Sequence, residues 1–197
     1  MKNLWMVAAA TTVLFSASAQ DASTESQSVG IIIDAHALVD VVDDALVFDF
    51  SSDTPTEAGD GLVLGNNRQT STFLNYSLML SNGGLADGSI SVKVANLKPG
   101  LSLSLAADGS AAMALPPAQY GKLGTVTTTF DVGQGATGVL LTSTDQVLIE
   151  NIGTSYTGDG NGQGYEIYYD VAIDDYELLD ADNGSQDVGT VTYTIAE

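Results

Sequence analysis

The chain has 197 residues, no cysteine, one histidine and a net charge of −20. A surface this negative excludes DNA, RNA and acidic membranes as natural partners, because phosphate is repelled. Without cysteine there are no disulfides or thiolate metal sites, and with one histidine the usual Cys/His zinc constellations cannot form within one chain.

The first segment carries export signals rather than structure. Lys2 is a short basic region, Leu4–Phe15 is apolar apart from Thr11 and Thr12, and Ser16–Ala19 supplies small residues for cleavage. This order predicts a secretory signal peptide over residues 1–19, too short an apolar run for a stable membrane span. Its loss removes Lys2 and leaves Arg68, Lys93, Lys98 and Lys122 as the strong cations. Residues 20–28 are polar and aperiodic and read as a flexible leader. Residues 29–197 are long enough for one domain with its own core.

From Val29 onward the hydrophobic period is close to two, the period of strands. Val29–Val41 predicts one long strand, or two short ones broken near Asp34–His36, with a helical turn there as the competing reading. Ala45–Phe50 places Leu46, Phe48 and Phe50 on one face, and Ser51–Asp60 reads as a loop. Gly61–Leu64 is a small strand candidate and Asn66–Ser71 is turn-prone. Phe73–Leu80 predicts a strand with Leu74, Tyr76, Leu78 and Leu80 inward. Ser89–Ala95, Leu101–Leu105 and Ala111–Leu115 alternate in the same way, and the turns between them suggest a meander from Ile90 to Leu115. Pro116 and Pro117 end it at an edge or loop.

Gly124–Val132, Val139–Leu141 and Gln146–Glu150 are further short strands. The GQGATG at Gly133–Gly138 has no βαβ context and reads as a turn rather than a dinucleotide loop. Gly153–Gly164 reads as a long glycine-rich loop, Tyr165–Ile173 as a strand and Asp180–Gly189 as an acidic turn. Gly189–Ala196 closes the chain with Val191, Tyr193 and Ile195 facing one way and threonines the other. The sum is an all-β domain of about nine to eleven short strands. The expected architecture is an immunoglobulin-like or jelly-roll-like β-sandwich, with a barrel as the competing one.

Chemistry is sparse. His36 with Asp34 or Asp40 is the one general-base candidate, weighed against a plain strand histidine. Asp43/Asp44 and Asp174/Asp175 are adjacent acids, which an extended strand sends to opposite faces. That geometry disfavours paired-carboxylate catalysis. The expectation is therefore no enzyme and no catalytic or cofactor-binding residue, with a secreted hydrolase as the least favoured alternative. Two oxygen-rich loops are candidates for structural Ca²⁺, neither assigned as a metal site. In one, Asp159, Asn161, Gln163 and Gly164 begin a DxNxxG pattern whose twelfth position is Asp170; the other has Asp180, Asp182 and Asp187. Tyr156, Tyr165, Tyr168, Tyr169 and Tyr176 offer either sugar-stacking aromatics or cross-strand packing. Asn75-Tyr76-Ser77 and Asn183-Gly184-Ser185 match N-glycosylation acceptors.

The closing GTVTYTIAE, LNYSLML at Leu74–Leu80 and GYEIYYDVAI at Gly164–Ile173 together resemble secreted bacterial fimbrial or pilin-like immunoglobulin-like sandwich subunits. They are also distantly similar to surface domains of the WxL type. The Trp-x-Leu hallmark is absent, as is the cysteine pair of many pilins. The resemblance implies a secreted structural or adhesive protein, extracellular, at the cell surface or in a fimbrium, with the periplasm as the alternative compartment. It implies self-association, or association with related surface subunits, by exchange of an N-terminal strand. Here that strand is Val29–Val41, with Ile31, Ile33 and Val39 filling pockets in a neighbour. The competing function is a carbohydrate-binding module using Tyr168 or Tyr169 on an extracellular glycan.

Overall fold

The computed structural model describes residues 26–43, 45–65, 69–81, 87–108, 120–127, 138–181 and 189–197. The chain divides into two units, Met1–Ile33 and Asp34–Glu197. In the first, the described residues 26–33 are exposed and belong to no strand.

The second unit is an all-β sandwich of two antiparallel sheets, of the immunoglobulin-like or jelly-roll kind. Its described strands are β1 (His36–Val41), β2 (Gln69–Met79), β3 (Gly88–Ala95), β4 (Leu101–Ala107), β5 (Thr125–Val126), β6 (Val139–Leu140), β7 (Gln146–Ile152), β8 (Ser155–Tyr156), β9 (Tyr165–Ile173) and β10 (Thr190–Ala196). One sheet runs β1-β2-β9-β4-β6, with β8 added to β2; the other runs β10-β3-β7-β5. The core lies between them. Leu74, Tyr76 and Leu78 from β2, Leu103 and Leu105 from β4 and Tyr165, Ile167, Tyr169 and Val171 from β9 meet Ile90, Val92, Leu148, Ile149 and Ile152 from the other sheet. These are the alternate residues that the period-two pattern selects, because one side of each strand must leave water.

The strand expected over Val29–Val41 forms only from His36. Ala45–Phe50 is not a strand, yet its facing holds: Leu46, Phe48 and Phe50 pack on the core, and the two phenylalanine rings stack at 6.5 Å. Gly61–Leu64 is also not a strand. Gln69–Ser71, read as turn-prone, instead begins β2, because β9 supplies a partner from Tyr168 to Asp170.

The expected meander from Ile90 does not form. β3 and β4 are consecutive in sequence but lie in different sheets, so Lys98-Pro99-Gly100 carries the chain from one layer to the other. Gly100 has φ +83, and its carbonyl accepts from Asp174 and Asp175 (2.9 and 3.1 Å). That anchors the crossover to the end of β9. Strict alternation also fails in β7. Leu148 and Ile149 are both buried while Val147 is exposed, because the β3–β7 ladder shifts register around Ile90.

The Gly153–Gly164 loop contains β8, which pairs Ser155 and Tyr156 with Leu78 and Ser77. In β10, Val191, Tyr193 and Ile195 are half-buried rather than fully buried, as suits an edge strand paired only with β3. β1 and β10 approach one another but hydrogen-bond to different sheets. The candidate strand Ala111–Leu115, the prolines after it, Thr128–Val132 and most of the GQGATG turn lie outside the described residues.

Candidate functional site

Tyrosine hydroxyls tie the sandwich together from inside. Tyr76 and Tyr165 stack at 6.3 Å on the inner face. The Tyr165 hydroxyl donates to the Gly124 carbonyl (2.9 Å), and the Gly124 N–H donates to the Tyr76 hydroxyl (3.4 Å). Gly124 has to be glycine, since a Cβ there would stand 2.6 Å from both Ile149 and Ile152 side chains. Tyr169 from β9 and Tyr193 from β10 bring their hydroxyls within 2.6 Å, bridging the two sheets. Burial raises the pKa of all four phenols; for Tyr165 its neighbour Tyr76 adds to the rise, and for Tyr193 its neighbour Tyr169 does. These tyrosines therefore stay protonated at any physiological pH and serve as hydrogen-bonding core residues.

This sorts the tyrosine cluster. Tyr165 and Tyr169 are core residues and present no ring to a ligand. Tyr168 lies on the outer face of β9, where its hydroxyl donates to Glu166 Oε2 (2.6 Å) and Ser71 Oγ donates to Oε1 of the same carboxylate (2.9 Å). Burial and then Glu166 push its pKa up to about 12. Tyr176 is exposed, and its hydroxyl accepts from the Leu62 N–H (3.1 Å), clipping the 61–65 segment to the 3₁₀ turn Tyr176–Leu178. Tyr156 is exposed on β8.

The predicted acid and base residues disperse. His36 Nε2 lies 3.1 Å from Ser77 Oγ across the β1–β2 ladder. Ser77 lies near the C-terminal end of β2, paired with Leu38 on one side and Tyr156 on the other. Its neighbouring backbone groups are engaged in ladders, so no oxyanion hole of backbone N–H groups surrounds it. Among the described residues no carboxylate bonds the other ring nitrogen of His36. Asp175 caps the 3₁₀ turn by accepting from Glu177 N (3.0 Å), a structural role. Asp43 is exposed with its N–H on Thr72 Oγ1 (3.3 Å), and Asp44 lies outside the described residues.

The calcium pattern is also taken apart. Asp159, Asn161 and Gln163 lie in the loop before β9, but Asp170 sits well inside β9 between Gln69 and Ser104. Asp170 lies six residues beyond Gly164 along an extended strand, roughly 20 Å at the rise of a strand, so the strand carries it away from the loop. In the second acidic loop, Asp180 pairs with Lys98 Nζ (2.9 Å), while Asp182 and Asp187 lie outside the described residues. No group of three or more His, Asp or Glu side chains suited to a metal ion occurs among the described residues.

The glycine-rich loop is held by a residue that sequence reading took for a glycosylation acceptor. Asn75 is 3% exposed on β2. In the orientation that satisfies both ends of its amide, the nitrogen donates to the Gln163 carbonyl (2.9 Å) and the oxygen accepts from the Gly160 N–H (3.2 Å). A buried carboxamide bonded to backbone presents no acceptor for a glycan. The second acceptor motif, at Asn183, lies outside the described residues. Thr157, fully buried, completes the anchor: its hydroxyl accepts from the Tyr76 N–H (2.8 Å) and its own N–H donates to the Tyr76 carbonyl (3.0 Å). Gly158, Gly160, Gly162 and Gly164 all have positive φ, so the loop takes a path closed to most side chains. The alternating glycines were visible in the sequence; their partner on β2 was not.

The anchored loop and β1 flank β2 and leave a groove of about 410 Å³, lined by Leu38, Asp40, Asn75, Ser77, Tyr156 and Asp159 among others. Several of the sequence candidates contribute to it. Comparison with protein-family models, curated proteins and solved structures finds no match. No helix among the described residues is long and apolar enough to cross a membrane.

Proposed function

We propose that this chain is a secreted structural surface protein, a subunit that joins its neighbours by β-strand exchange through the segment Val29–Ile33. One observation carries the reading. Val29, Ile31, Ile32 and Ile33 are 79, 78, 91 and 70% exposed, although all four are β-branched residues that favour strands. Four large β-branched side chains left in water are unfavourable by roughly 1.5–3 kcal/mol each relative to burial, and a strand partner would remove that cost. Two of the sandwich's edge strands, β1 and β10, meanwhile lie close together. An added strand gains backbone hydrogen bonds and pockets for alternate side chains there. The signal-like leader supports an extracellular setting, and the high negative charge keeps unassembled copies apart until a directional contact forms.

The carbohydrate-binding reading finds less support. Of its two nominated residues, Tyr169 is buried and Tyr168 is hydrogen-bonded to Glu166. The test is negative-stain microscopy and light scattering of the chain from Gln20, with and without calcium. Filaments or ordered oligomers are expected, and the double variant Ile31→Asp/Ile33→Asp is expected to remain monomeric. Monomers at high concentration for the unmodified chain in both conditions would remove the assembly reading.

A further inference from the structure

The groove over β2 has a definite construction. Leu38, Ser77 and Tyr156 stand in one row across three strands, since Leu38 pairs with Ser77 and Ser77 pairs with Tyr156. The two outer backbones are therefore about 10 Å apart, twice the spacing of neighbouring strands. Leu38 is 65% exposed and Tyr156 39% exposed, so they form two apolar walls above the small Ser77 floor. The next row pairs Asp40 with Asn75, and the chain leaving β8 brings Asp159 to the lining of the same groove. Both carboxylates are exposed, and neither makes an ion pair among the described residues. The described ion pairs use Lys93 with Asp145 and Lys98 with Asp180.

We infer that this groove receives a lysine or arginine side chain from a basic, extended segment of a partner protein. The alkyl stem of such a side chain fits between Leu38 and Tyr156, and its cationic head reaches Asp40 and Asp159. A cation beside the Tyr156 ring gains further from the ring quadrupole, most for arginine. Charge complementarity selects this occupant. A second copy of the chain, at net charge −20, brings few cations of its own and is repelled at long range. A neutral sugar ring could donate hydroxyls to the two carboxylates but would leave their charge uncompensated. The inference is independent of strand exchange, because every groove residue named belongs to the unit Asp34–Glu197.

The test is an amide-shift NMR titration of the Ile31→Asp/Ile33→Asp chain with a blocked hexa-arginine peptide at 150 mM salt. Shifts are expected to concentrate at Leu38, Ser77, Tyr156 and Gly158. Asp40→Asn/Asp159→Asn should weaken binding roughly tenfold, the sum of two exposed charge contacts, and Tyr156→Ala by about fivefold. The control Glu57→Gln/Asp60→Asn removes equal charge from a loop outside the groove and should change affinity less than twofold. Equal loss in the control would reduce the effect to diffuse electrostatics and overturn the site. Shifts centred elsewhere, no binding, or tighter binding of a glucosamine hexamer in the groove would overturn it as well.

Discussion

Two stretches of this chain reverse what their compositions suggest. Val29–Ile33 is rich in β-branched residues and lies in no sheet, whereas Gly153–Gly164 is a third or more glycine and supplies β8 and a tightly held loop. The difference lies in partners. Ser155 and Tyr156 find an open edge at Leu78 and Ser77, and the next residues are fastened by Thr157 and Asn75. A strand needs backbone donors and acceptors opposite it, and propensity alone does not provide them. In the glycine loop, freedom to adopt positive φ lets the backbone reach those partners; the isoleucine run has no strand opposite it among the described residues.

The largest expected effect comes from denying the loop its backbone path. Gly164 has φ +76, and an added Cβ would run into the Leu74 carbonyl oxygen. Gly164→Ala should destabilise the fold by roughly 3–5 kcal/mol through strain and overlap, read as a fall in the urea midpoint. A change below 1 kcal/mol would show that the loop has room to move and that the contrast with Val29–Ile33 is overstated.

Next is the anchor itself. Asn75→Ala leaves the Gly160 N–H and the Gln163 carbonyl without their side-chain partner. A loss of about 1–3 kcal/mol is expected from these partly buried groups losing their partner, with hydrogen exchange at residues 158–164 rising more than in β9. Uniform acceleration across the sandwich would mean that the loop and core open together.

The tyrosine bridge gives a smaller, pH-dependent effect. Tyr193→Phe should cost about 1 kcal/mol, the net value of one hydrogen bond. In the unaltered protein the folded pKa values of Tyr169 and Tyr193 lie above the ordinary 10.0. The unfolded chain therefore loses those protons first as pH rises, and stability present below pH 10 declines above it. The slope is at most about 1.4 kcal/mol per pH unit for each phenol. Urea midpoints between pH 7 and 11 should stay flat to about pH 9 with respect to these groups and then fall. A smaller fall is expected for Tyr193→Phe, and an identical fall would deny the bridge its part.

The smallest stability effect is expected where the sequence looks most structural. Ile31→Asp/Ile33→Asp should shift monomer stability by less than about 0.5 kcal/mol, as for exposed sites, while abolishing assembly. A loss of several kcal/mol in the monomer would place this segment in its own chain's fold and end the contrast.

The legible part of the fold is the part governed by local rules. In β2, β3 and β9 the alternating apolar residues that should be buried are buried, and in β4 Leu103 and Leu105 are, because the inner face of each strand must leave water. The prediction weakened wherever register or layer depended on distant residues. Nothing near Ile90 announces the shift that buries both Leu148 and Ile149, and nothing at Lys98–Gly100 reveals that the turn changes sheets. The site was less legible still. Tyr168 and Tyr169 are neighbours with opposite fates because strand alternation sends one outward and one into the core. The groove joins Leu38, Ser77 and Tyr156, which are far apart in sequence and meet only through two ladders.

What the sequence by itself determined is the all-β character and the identity of most core side chains, because both follow from a period of two and from the cost of leaving apolar surface in water. The acidic surface and the absence of thiol chemistry likewise needed no structure. Tertiary structure alone decided which strands are edges, which tyrosines are buried, how Asn75 is used and where a groove opens. Those outcomes depend on backbone hydrogen bonds between segments distant in the chain, and such bonds involve groups that every residue carries alike.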